Sequence, residues 1–168
     1  MSQRCYLKPG EMYFGESTLV ETLLGSCVAI TLWYPPVRKG GICHFMLPQR
    51  QRELRSHSRD LDGRYGREAW LWLLQQSRAQ CLQPEQAEIK LFGGSRVLQL
   101  KPEQNFADIG AKNIEMAEDC LQQAGLQPCA RDVGGDGHRV LRFDLRTGYV
   151  WVRRGEALPN AVLKEMQP

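Results

Sequence analysis

The sequence predicts an α+β protein, a layered α/β sandwich built on a mixed sheet. Short runs rich in β-branched and aromatic residues, bounded by Gly or Pro, occur in both halves of the chain. Only two stretches carry apolar residues at helical spacing. The two kinds of element come in mixed order rather than in strict alternation, which argues against a doubly wound parallel sheet.

The elements follow in order. Residues 17–23 form the first strand, and Gly25-Ser26 is a turn signal. Residues 27–33 are an apolar, β-branched run that fits a buried strand. Pro35-Pro36 ends it, because proline cannot donate to a ladder. Gly40-Gly41 opens a strand over 42–47, stopped by Pro48, and the two runs can pair as a hairpin with a loose connection. Residues 49–63 are polar and without period, so they read as a long surface loop. A helix is expected over 64–80, where Tyr65, Ala69, Trp72, Leu73 and Gln76 fall at helical spacing. Trp70 and Trp72 cannot share a helix face, so one belongs to the core and the other is left for a partner. Residues 87–92 form a short strand closed by Gly93-Gly94. The clearest helix runs over 108–124, with Ile109, Ile114, Ala117, Leu121 and Ala124 as its stripe, Asp108 as N-cap and Gly125 at C′. The chain ends in strands over 126–132, 139–144 and 149–153. Gly134-Gly135-Asp136-Gly137 reads as a hairpin connection. One domain over 1–168 is expected, with its core at about 5–154 and a C-terminal tail over 155–168.

Composition narrows the function. At 168 residues, 42% hydrophobic and 24% charged, the chain is ordinary globular material. It has no signal-like start and no apolar run of membrane-spanning length, so a cytoplasmic protein without membrane insertion is expected. A net charge of +3 is too mild to argue for nucleic acid. The local basic run from Arg50 to Arg67 reads first as a solvated loop and second as a contact for acidic helices. Gly93-Gly94-Ser95 lacks the ending of a phosphate loop and reads as a strand-exit turn. The six cysteines include no CxxC pair, so no metal site is expected.

Cys27 is the residue with a chemical reading. A thiol just past a Gly-Ser turn can stay accessible while its strand packs, and neighbouring backbone N–H groups can hold an oxyanion. It needs a base. Of the three histidines, His57 lies in the polar loop, His138 in a glycine turn, and His44 within an apolar strand. A buried imidazole needs a partner. A hairpin turned about Pro35-Pro36 sets His44 opposite Cys27, which allows a dyad without showing one; on the residues alone, a core cysteine beside a satisfied core histidine is the favoured reading.

Leu24-Gly25-Ser26-Cys27-Val28-Ala29, followed by Cys43-His44-Phe45-Met46-Leu47-Pro48, closely resembles the chemoreceptor glutamine deamidase family, CheD. Similar stretches continue in order: Lys90 to Gly94, Ile109 to Asn113, Arg131 to Gly135, Arg139-Val140 and Thr147-Gly148. The resemblance implies hydrolysis of glutamine side-chain amides on chemoreceptor cytoplasmic helices to glutamate, and cleavage of glutamate methyl esters at such sites. It implies Cys27 as nucleophile and His44 as base, with Gly25 and Ser26 forming the turn whose N–H groups receive the oxyanion. The implied fold is similar to the catalytic domain of the cytotoxic necrotizing factor toxins. A threonine that orients the histidine matches Thr22, with Glu21 as rival, because a one-residue shift on a strand reverses the side chain. No metal or organic cofactor is implied. A CheC-type phosphatase is a possible partner, and a non-catalytic docking module for receptors or that phosphatase is the alternative function. An activated thiolate at Cys27 is expected to alkylate faster than the other cysteines.

Overall fold

The computed structural model describes residues 3–51, 60–96 and 108–155. Its elements are β1 (Gln3–Tyr6), β2 (Met12–Glu16), β3 (Thr18–Leu24), β4 (Val28–Tyr34), β5 (Lys39–Cys43), α1 (Gly66–Ala79), a 3-10 turn (Pro84–Gln86), β6 (Glu88–Gly93), α2 (Ile109–Gln123), β7 (Ala130–Val133), β8 (His138–Asp144) and β9 (Val150–Gly155). They form a four-stranded sheet in the order β1-β3-β8-β9 and a five-stranded sheet in the order β2-β5-β4-β6-β7. Each sheet is mixed: β1–β3 and β6–β7 are parallel and the other pairs antiparallel. The α+β class and the mixed sheets agree with the sequence reading.

The layers follow from the period of two along β4. Val28, Ile30, Leu32 and Tyr34 belong to a core shared with Ala69, Leu73, Met116 and Leu121 of the helices. The alternate residue Ala29 belongs to a second core with Val20, Leu24, Leu141 and Phe143 of the other sheet. The five-stranded sheet is therefore buried on both faces, by two helices on one side and by a second sheet on the other. A strand apolar at almost every position is what such a middle layer requires.

Helix α2 starts on Asp108, whose side chain accepts from Ala111 N–H at 3.1 Å. It ends before Gly125, whose φ of +71° is the left-handed geometry of a C′ glycine. In α1 the core tryptophan is Trp70, at 4% exposure. Trp72 is not left for a partner, because it packs partly buried against the same core.

Several expectations are corrected. β1 and β2 were unread in the sequence, being short strands whose residues are mostly half-buried or exposed. Gly134 to Gly137 is not a hairpin, since β7 and β8 belong to different sheets and the turn carries the chain between layers. The β4–β5 register sets Thr31 opposite Ile42, and the bridge Val28–Phe45 continues it. Cys27 and His44 are therefore displaced by two residues from direct opposition. Residues 52–59 of the basic loop, including His57, and the tail from 156 lie outside the described residues. Of the flanking arginines, Arg50 binds Glu68 through two hydrogen bonds at 2.8 and 2.9 Å. Arg64 pairs with Asp62 at 2.7 Å, and both guanidiniums lie over the Tyr65 ring.

Candidate active site

The chain leaves the four-stranded sheet at Leu24 and enters the five-stranded sheet at Val28, so Gly25-Ser26-Cys27 is the crossing between layers. Its carbonyls are tied down one after another. Gly25 O accepts from Ser95 N–H at 2.9 Å and Cys27 O from Gly94 N–H at 2.8 Å. Ser26 O accepts from Asn113 Nδ2 at 3.0 Å. The strand-exit turn after β6 thus wraps the cysteine turn. Gly93 has to be glycine, because φ is +104° and a Cβ would run into the Cys27 carbonyl.

His44 follows β5 and is 1% exposed. Its flanking residues Cys43 and Phe45 point into the helix-side core, so by alternation its ring faces the other sheet. Cys27 packs against that inter-sheet core as well. With Val28 bridged to Phe45, Cys27 and His44 are diagonal neighbours on one face, a relation that spans about 7–8 Å between backbones and lies within reach of a long side chain.

Thr22, on β3, comes from the facing sheet. Its Oγ1 lies 2.7 Å from His44 Nδ1 and donates to Leu7 O, also at 2.7 Å. A carbonyl can only accept, so the one hydroxyl proton is committed to Leu7. Oγ1 must then accept from His44 Nδ1–H, which fixes the tautomer: Nε2 carries the lone pair. That Nε2 is buried and, among the described residues, has no hydrogen-bond partner. Gly10 N–H donates to His44 O at 2.7 Å and holds the backbone. Glu21 points to the opposite face of β3, where Arg142 lies 3.6 Å from its carboxylate. Between the two rivals, Thr22 is the residue that touches His44.

Burial sets the charges. It pushes the Cys27 thiol up to about 11 and the His44 imidazole down to about 4. Both shifts favour the neutral thiol–imidazole pair. Burial therefore favours an uncharged thiol at Cys27 and an unprotonated ring at His44. This pair suits general-base catalysis, in which the proton moves as the sulfur attacks.

Three residues that build the site carry no site role in the sequence reading, where Ser95 stands only in the strand-exit turn and Asn113 and Arg139 only in family-like stretches. Asn113 is fully buried and also donates to Met46 O at 2.9 Å. Ser95 is buried and accepts from Arg139 at 2.7 Å. Arg139, 1% exposed, further bonds Asp132 at 2.8 Å and Gly134 O at 2.6 Å. A signal existed for Asn113: it occupies the stripe of Met116, Ala117, Cys120 and Leu121, where an apolar residue belongs. His138, at the start of β8, is exposed and sets its ring against Gly25. Met46 and Leu47, just past His44, are about two-fifths exposed, at 39% and 41%. Among the described residues there is no cluster of metal-ligating side chains, and no helix is long and apolar enough to cross a membrane.

Comparison with known proteins yields one family. Residues 46–154 match the family described as CheD chemotactic sensory transduction. The chain is 43% identical over 148 residues to a protein of Dechloromonas aromatica named probable chemoreceptor glutamine deamidase CheD 3, covering 88% of this chain and 85% of the relative. It is 38% identical over 152 residues to probable chemoreceptor glutamine deamidase CheD 1 of Chromobacterium violaceum, covering 90% and 77%. A relative from Maridesulfovibrio salexigens, named probable chemoreceptor glutamine deamidase CheD, is 38% identical over 160 residues, covering 92% and 93%. With a family match over more than half its length and relatives aligned across most of both chains, this chain belongs to the CheD family.

Proposed function

We propose that this protein is a chemoreceptor glutamine deamidase, hydrolysing glutamine side-chain amides on receptor helices to glutamate through a thioester on Cys27. The observation that carries the reading is the relay from Leu7 O through the Thr22 hydroxyl to His44, which leaves Nε2 as a buried lone pair on the face that holds Cys27. His44 Nε2 takes the thiol proton as Sγ attacks the amide carbon, the thiol turning onto the ring when substrate seats. The N–H groups of Ser26 and Cys27 receive the oxyanion. The imidazolium then returns its proton to the leaving nitrogen, so ammonia departs and the thioester remains. Neutral His44 next accepts a proton from water, whose hydroxyl attacks the thioester. Collapse releases the glutamate side chain, and the proton returns to the thiol. Met46 and Leu47 supply exposed apolar contact for a receptor helix beside the site.

The finer parts of the reading go with this core. The chain acts as one domain over 1–168, in the cytoplasm, where receptor signalling helices are presented. From the family resemblance alone we further propose layers arranged as in the cytotoxic necrotizing factor catalytic fold and a CheC-type phosphatase as a candidate partner. The test is ammonia release from a receptor cytoplasmic fragment. Wild type is expected to release it stoichiometrically with glutamate formed, and Cys27→Ala to bind the fragment without release. Equal release by both would reject the nucleophile. Binding by wild type with no release would leave a docking module.

A further inference from the structure

We infer that Asn113 is a positioning residue for the oxyanion site: it aims the Cys27 N–H and fastens the nucleophile turn to the histidine segment. The inference rests on the deamidase reading above and deepens it. One amide, fully buried, donates to Ser26 O at 3.0 Å and to Met46 O at 2.9 Å. Ser26 immediately precedes Cys27, and Met46 lies two residues past His44. The two acceptors are carbonyls, so the amide cannot be flipped without setting its own oxygen against both. Its Oδ1 is buried and, among the described residues, unpartnered, a penalty that an apolar residue on the same helix stripe would avoid. A residue kept for packing alone would not carry it.

The geometric consequence runs through the peptide plane. All described peptides are trans, and a trans peptide points its N–H opposite its C=O. With Ser26 O held on Asn113, the Cys27 N–H is turned away from α2. With Gly25 O held on Ser95 N–H at 2.9 Å, the Ser26 N–H is fixed in the same manner. Among the described residues neither N–H donates to another backbone carbonyl. Two donors beside the nucleophile are thus oriented by their carbonyl partners before substrate arrives, which is what stabilisation of a tetrahedral oxyanion requires.

The test separates this role from simple support of the fold. Alkylation of Cys27 by iodoacetamide uses the thiol but forms no oxyanion, whereas deamidation forms one in each step. For Asn113→Ala, kcat is expected to fall roughly 10–100-fold while KM and Cys27 alkylation stay within about twofold of wild type. Asn113→Asp, close in shape, cannot donate as a carboxylate and regains one donor when protonated. Its activity relative to wild type is expected to rise as pH falls, a trend that also decides the matter if the alanine variant fails to fold. Deamidation and alkylation falling together, or Asn113→Asp tracking wild type at every pH, would overturn the positioning role. Wild type inactive on receptor fragments would instead remove the deamidase reading on which it rests.

Discussion

Thr22 has one proton to donate and Leu7 O takes it, which leaves the lone pair of His44 on Nε2, where the proposed reading needs a base. Removing the acceptor frees the ring to put its proton on either nitrogen. Thr22→Val is expected to lower kcat roughly 10–100-fold, the rate equivalent of about 1–3 kcal/mol for a buried partner left unmade. Thr22→Ser, which keeps the hydroxyl, is expected to recover most of it. A valine variant as active as wild type would show that the ring needs no such restraint. The same burial links His44 to stability. Its folded value, about 4, lies below the ordinary 6.5, so the unfolded chain binds the proton more readily. The stability from keeping the ring neutral is complete above pH 6.5 and is lost as pH falls toward 4. The loss amounts to roughly 3 kcal/mol. Urea midpoints across that window should decline for wild type and flatten for His44→Asn; parallel slopes would contradict the assignment.

At the scale of elements, the site depends on how the turn after β6 closes over the turn before β4. Gly94 and Ser95 donate to Cys27 O and Gly25 O, and Gly93 lets the two backbones touch. Gly93→Ala meets both a left-handed φ and a backbone carbonyl that cannot swing aside, so it is expected to destabilise by roughly 2–4 kcal/mol. Urea unfolding measures this, and a change below about 1 kcal/mol would mean that the contact relaxes easily. Both helices and strands β4 and β6 of the middle layer were legible in the sequence, since Asp108, Gly125 and the apolar run of β4 are strong local signals. β1 and β2 were not, because a half-exposed edge strand has little hydrophobic pattern to read. The register of β4 against β5 was also beyond local reading. The turn at Pro35-Pro36 permits slippage, and the Val28–Phe45 bridge that continues the observed register lies far along the chain from it.

At the scale of the molecule, the site sits where the chain changes layers. Thr22 comes from one sheet, Cys27 lies in the crossing, His44 follows a strand of the other sheet, and Asn113 comes from the helical layer. Cys27, His44 and Thr22 could be picked out of the sequence through the Gly-Ser turn, the polar ring in an apolar run and the family resemblance. The residues that hold them in place could not, because Asn113, Ser95 and Arg139 act through contacts 44 to 87 residues apart in sequence. No spacing along a chain encodes such pairs. Arg139 is the extreme case: a guanidinium from β8, 1% exposed, that bonds Ser95 beside the Cys27 turn and also Asp132 and Gly134 O. In the proposed reading, this assembly makes Cys27 a nucleophile toward receptor glutamines. Peptide-mapping mass spectrometry of a receptor cytoplasmic fragment, incubated with wild type or Cys27→Ala, is the decisive test. A gain of about one mass unit at defined glutamines with wild type alone, as the thioester route requires, is the predicted result. The same gain with Cys27→Ala, or no gain with wild type on a fragment it binds, would contradict the claim.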